Sequence, residues 1–146
     1  MSKYRVIQTE FRNLDSLKKA LADLGVPYDL AKNPLQPDLP LYGYLGDERP
    51  ERGSIVIRRS WLDNNWSGNE HMVGLSNDIG FAWDGKELTA QVSEYDESNL
   101  GVTAAMKHLR QRYAYHEVMR LAHSHGYNVR ESTSQNGQMR VKIVRI

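Results

Sequence analysis

An α+β fold is what this sequence predicts: a mainly antiparallel sheet with two helices packed on one face, in a ferredoxin-like variant. Three observations predict it. Two segments carry apolar residues at helical spacing and stop at a glycine, Gly25 and Gly126. Segments rich in β-branched and aromatic residues flank both of them. Asp84-Gly85 and Asn136-Gly137 each sit between two such segments, and these dipeptides favour tight antiparallel hairpins.

In chain order, Tyr4–Phe11 reads as a strand because β-branched and aromatic side chains fit a pleated surface. Asn13 can cap the first helix, with Asp15 in its first turn. Leu14, Leu17, Leu21 and Leu24 then recur on one face before Gly25. All five prolines fall between positions 27 and 50, which prevents a central helix or long inner strand there. That stretch predicts an extended crossing with one short strand near Leu41–Tyr44, a polar loop over Gly46–Gly53, and a strand at Ile55–Arg59. Asp63–Asn69 is dense in turn formers. Ile79–Trp83 and Glu87–Tyr95 form the first hairpin, and a helix follows from Ser98 or Thr103 to Ser124. Tyr127–Thr133 and Met139–Val144 form the second hairpin. On the long helix, Val102, Met106, Leu109 and Tyr113 fall on one side, while Leu100, Ala104, Tyr115, Val118 and Ala122 fall nearly opposite. One side should cover the sheet. The other calls for the first helix or another molecule, a homodimer partner included.

With 146 residues the chain suits a single domain over 1–146, with a loop-rich insertion around 30–75. The absence of cysteine excludes disulfides, thiolate nucleophiles and cysteine-ligated clusters. No stretch approaches the roughly 20 apolar residues of a membrane span. The N-terminus has no apolar core region of a secretory signal, so a cytoplasmic location is expected. Net charge is +1, unevenly spread. Residues 1–99 hold 11 Lys/Arg against 16 Asp/Glu, a balance of −5; residues 100–146 hold 8 against 2, a balance of +6. Such asymmetry marks a possible face for an anionic partner or simply a solvated surface.

The motifs of common chemistries are missing. His108, His116, His123 and His125 lie in or just after the long helix, but their neighbours Arg112 and Arg120 oppose a dication. The run His116-Glu-Val-Met-Arg120 has arginine where a zinc-peptidase motif needs its second histidine. The serines lack a nucleophile elbow, and no phosphate-binding glycine loop exists. Asp63, Glu94, Asp96 and Glu97 could pair as acid and base or stand solvated beside loops. No catalytic, metal or cofactor residue is therefore assigned. What remains is binding chemistry. Arg58, Arg59, Trp61 and Trp66 cluster around a turn-rich stretch, and Arg and Trp are favoured at binding hot spots. Arg110, Arg112, Tyr115 and His116 combine cations with an aromatic ring, a mixture suited to a protein surface or to nucleic acid.

Several runs carry a resemblance. Phe11–Gly25, Ile79–Glu87, Gln111-Arg-Tyr-Ala-Tyr-His116, His125–Val129 and Asn136–Val141 together resemble the cyanobacterial and algal-plastid family called hypothetical chloroplast open reading frame thirty-five. The resemblance spans about two-thirds of the chain. The middle, Trp61–Leu75 above all, looks like an insertion relative to that family. It implies a cytoplasmic or plastid-stroma protein without an enzymatic activity to carry over. An association of its relatives with an ATPase of the AAA type implies a subunit or adaptor. The expectation is a binding or regulatory module acting through a protein partner, with a nucleic-acid-binding domain using the basic C-terminal half as the alternative.

Overall fold

The computed structural model describes residues 3–59, 75–133 and 139–145, the last hairpin by its backbone. In order, the elements are β1 (Tyr4–Ile7), α1 (Leu14–Asp23), β2 (Asp29–Leu30), β3 (Leu39–Tyr42), β4 (Glu48–Gly53), β5 (Ile55–Ile57), β6 (Ile79–Trp83), β7 (Leu88–Ser93), α2 (Glu94–Glu97), α3 (Leu100–Ser124), β8 (Tyr127–Thr133) and β9 (Met139–Arg145). Five strands make one antiparallel sheet in the order β1-β7-β6-β5-β2, while β3–β4 and β8–β9 form two separate two-stranded sheets.

Register explains the layers. Ile55 faces Phe81, Ile57 faces Ile79, and Phe81 faces Ala90, so these side chains share one surface of the sheet with Leu88 and Val92. Leu17, Ala20 and Leu21 of α1 and Val102, Ala105, Met106, Leu109 and Tyr113 of α3 close over that surface as one core. Each fully buried Leu, Ile or Phe here contributes roughly 1.5–3 kcal/mol relative to exposure. The other face is covered as well, which is why all six residues of β7 are buried. The β3–β4 hairpin lies across it. Leu41 packs so closely on Gly80 that a Cβ there would stand 2.9 Å from both Leu41 methyl carbons. The Gln91 amide donates to the Arg52 carbonyl at 2.9 Å. The layers are helices, sheet, hairpin.

The α+β arrangement with both main helices on one face is as expected. The ferredoxin-like variant is not what the described pairings give. It would return the strand after the second helix to the first sheet, whereas β8 pairs with β9 from Tyr127↔Arg145 to Thr133↔Met139. Local expectations are corrected too. The first strand stops at Ile7, because Thr9 Oγ1 takes the Phe11 N–H and Glu10 adopts a positive φ of 64°. Glu48–Gly53 is a strand and not a polar loop, since β3 supplies its partner despite Pro50. The strand through Tyr95 ends at Ser93, whose side chain caps α2 by accepting from the Asp96 N–H. In the first hairpin Trp83 faces Leu88, and the Asp84 side chain accepts from the Lys86 and Glu87 N–H groups; the turn centres one residue later than Asp84-Gly85 suggests. The Asn136-Gly137 turn lies outside the described residues.

Candidate functional site

Two polar constellations hold all the described candidate residues but Arg110, and both begin as solutions to local backbone problems. The first joins the helices. The N-terminus of α1 has orphan N–H groups that need acceptors. Asn13 Oδ1 accepts from the Ser16 N–H at 2.9 Å, and the Tyr113 hydroxyl of α3 accepts from the Arg12 and Asn13 N–H groups at 2.8 and 2.9 Å. Burial, the largest influence, raises the Tyr113 phenol above its ordinary value, against the lowering effect of those two donors. At the other end of α1, Asp23 Oδ2 accepts from Arg112 Nε at 2.8 Å and pairs with His116 Nε2 at 2.6 Å. The Arg112 guanidinium lies 4.4 Å from the centre of the Tyr115 ring, which meets His116 edge-on. Glu117 Oε1 accepts from the Ser16 hydroxyl at 2.6 Å and from Arg120. The Arg120 hydrogen bond, with that of the Ser16 hydroxyl and then the Arg120 charge, outweighs burial and holds the Glu117 carboxyl below its ordinary value. The run Gln111–His116 is thus a clamp between helices. Of the candidate surface, Arg112, Tyr115 and His116 are drawn into it.

The second constellation is a neck at the ends of β5 and β6. Asp78 is fully buried. Its Oδ2 accepts from the Tyr42 N–H and from Arg58 Nη1, both at 2.9 Å, and its Oδ1 accepts from the Arg59 N–H at 2.9 Å. Arg58 also bonds Asp29 at 2.8 Å and the Pro40 carbonyl at 2.6 Å. Burial works against the Arg58 charge, but its bonds to Asp29 and Asp78 prevail and raise its pKa. Asp96, buried next door, accepts from the Ser76 and Asn77 N–H groups and from the Ser93 hydroxyl at 2.9, 3.0 and 2.9 Å. These carboxylates fasten backbone; their oxygens are occupied by donors, the arrangement of a structural latch.

The neck also presents a surface. The Asn77 side chain accepts from the Tyr44 N–H at 2.9 Å, and the turn is closed by Gly43 N–H to Asp47 O at 2.8 Å and Gly46 N–H to Gly43 O at 2.9 Å. A Cβ on Gly43 would meet Asp47 Oδ1 at 2.6 Å, and Gly46 has φ +78°, the left-handed conformation that favours glycine. Held this way, Tyr44 and Leu45 project at 55% and 70% exposure. Gly46 also stands beside the Arg59 guanidinium. Neither Tyr44 nor Leu45 stood out in the sequence; an aromatic–aliphatic pair between two glycines was the available signal.

The remaining candidates fall elsewhere. Arg110 is exposed on α3, at the rim of an open cleft beside β1. Trp61 and Trp66 lie outside the described residues. Among the described residues no group of three or more His, Asp or Glu converges as a metal site, and no helix is long and apolar enough to cross a membrane. The sequence also missed Asp78 and Asn77 as organising residues, because an Asn-Asp pair before an apolar strand reads simply as a turn.

The family model described as "Protein of unknown function (DUF1257)" matches residues 20–142. The "Uncharacterized protein ycf35" of Guillardia theta is 28% identical over 148 aligned residues, covering 99% of this chain and 98% of the relative. No solved structure matches. The plastid-type resemblance of the sequence is therefore borne out, and the chain belongs to the DUF1257 family.

Proposed function

We propose that this protein is a non-enzymatic binding or regulatory module of the cytoplasm or plastid stroma that acts through a protein partner. The observation that carries this reading is the Gly43–Asp47 turn, which orders exposed Tyr44 and Leu45 next to Gly46, itself beside the Arg59 guanidinium. Rigid aromatic and aliphatic groups next to a guanidinium are hot-spot chemistry, and a turn already ordered loses little entropy on binding. The latch roles of Asp78 and Asp96 support binding over acid–base work, since a general acid or base needs a free approach to its substrate. An ATPase of the AAA type is the partner the family resemblance suggests.

The test is recovery of partners from the native host's lysate with the tagged full chain, compared with a Tyr44→Ala, Leu45→Ser double variant. The expected result is at least tenfold less of a nuclease-resistant partner with the variant, at unchanged melting temperature. Equal recovery would refute the surface. The second reading, nucleic-acid binding through the +6 C-terminal portion, is weakened by the commitment of Arg112 to Asp23 and Arg120 to Glu117. It predicts partners that vanish on nuclease treatment and binding that falls steeply with salt.

A further inference from the structure

The β1 edge of the main sheet combines three features that no other described surface brings together. First, it is an open edge. The Glu94 N–H donates to the Lys3 carbonyl at 2.8 Å, and the register continues Tyr4↔Ser93, Arg5↔Val92, Val6↔Gln91. In an antiparallel ladder this turns the backbone groups of Lys3, Arg5 and Ile7 toward β7, and those of Tyr4 and Val6 away from it. Val6 is 70% exposed, and β1 is the terminal strand of the sheet. An unprotected edge of this kind is a template for a further strand.

Second, an open cleft of about 270 Å³ lies on the helix side of that edge, floored by Ile7, Val92, Val102 and Met106. A strand added beside β1 would send every second side chain toward it. Third, the uncommitted charge at the cleft is positive. Glu97 on the rim is already paired with Arg5 at 3.2 Å. Arg110 on the rim and Lys107 three residues before it are exposed, and among the described residues neither has a carboxylate partner.

We propose that this edge is a docking site for an extended segment of a protein partner, in which an apolar residue stands two positions from an Asp or Glu. The segment adds a sixth strand beside β1 and hydrogen-bonds to the outward groups of Tyr4 and Val6. Its apolar side chain enters the cleft, and its carboxylate meets Arg110 and Lys107. Strand addition supplies affinity through the main chain and specificity through alternate side chains. The proposal rests on the reading of the chain as a protein-binding module and uses a face separate from the Tyr44–Leu45 turn.

The experiment is selection of a displayed library of random dodecapeptides against the full chain, which needs no host partner. Enriched peptides should carry the apolar–x–acidic pattern and slow amide exchange across residues 4–7. They should bind at least tenfold more weakly to Val6→Pro and to Arg110→Glu. Proline at position 6 deletes an N–H that faces away from β7, so the β1–β7 ladder is kept; Arg110→Glu changes an exposed residue and checks the charge independently. No enrichment, enrichment of basic or patternless peptides, or equal binding to both variants would overturn the proposal. So would self-association of the wild-type chain, seen by sedimentation and lost in Val6→Pro, because the edge would then belong to a second copy. A negative selection with intact host-partner recovery would sink the edge and spare the turn; the reverse outcome would do the opposite.

Discussion

Replacing Tyr113 by Phe removes one oxygen and keeps the ring, which makes it a clean probe of how the two helices are joined. The ring sits 4.6 Å from Phe11, centre to centre, and that packing survives the change. What is lost is the acceptor of the Arg12 and Asn13 N–H groups. A buried donor left without an acceptor costs roughly 1–3 kcal/mol. Both donors are only part-buried, so the low end applies to each, about 2 kcal/mol together. With a urea m-value of about 1.5 kcal/mol/M, the unfolding midpoint should fall by about 1.3 M at unchanged slope. Equilibrium urea unfolding followed by circular dichroism measures both quantities. A midpoint shift below about 0.3 M would mean that water satisfies the two N–H groups equally well, and that the clamp rests on ring packing alone.

Two further outcomes follow from the sheet's second face. Gly80→Ala should destabilise by about 1–3 kcal/mol, because its Cβ would crowd two methyl carbons of fully buried Leu41; a change under about 0.5 kcal/mol in thermal unfolding would show that the hairpin lifts off at little cost. The Tyr4 phenol donates to the Asp78 carbonyl and is held above its ordinary value, first by burial and then by the Asp78 charge. An unfolded tyrosine ionises near pH ~10. Above that pH the unfolded chain binds fewer protons than the native one, so this contribution is full below about pH 10 and is lost as pH rises toward the folded value. Tyr4→Phe should therefore flatten the alkaline decline in urea midpoint between about pH 9 and about pH 11, and parallel curves would refute the assignment.

Local chemistry was the legible part of this fold. Asn13 and Gly25 bound α1 because a cap and a left-handed stop act within a few residues of chain. The helical spacing of Val102, Met106, Leu109 and Tyr113 marked the buried face of α3 for the same reason. The strand order was not legible, because it depends on pairings between residues far apart, such as Tyr4 with Ser93. Glu48–Gly53 looked like a loop since its polar side chains gave no hint that β3 would be its partner. The candidate site fared likewise. Arg112 and His116 share a partner, Asp23, that lies on another helix, so a fastening group read as a free surface. Leu100, expected to need a partner, stands 85% exposed at the start of α3.

The latch at Asp78 and Asp96 has a consequence for how this chain can vary. Arg59 is held on one carboxylate and Ser76 on the other, so both ends of the intervening sequence are fixed to the scaffold whatever is written between them. The register of β5 on β6 runs through Ile55, Val56 and Ile57, with the Ser54 N–H on the Phe81 carbonyl at their start. The latch therefore works as a socket. Substitutions at Asp78 or Asp96 are the ones that would move the points at which the chain leaves and rejoins the sheet.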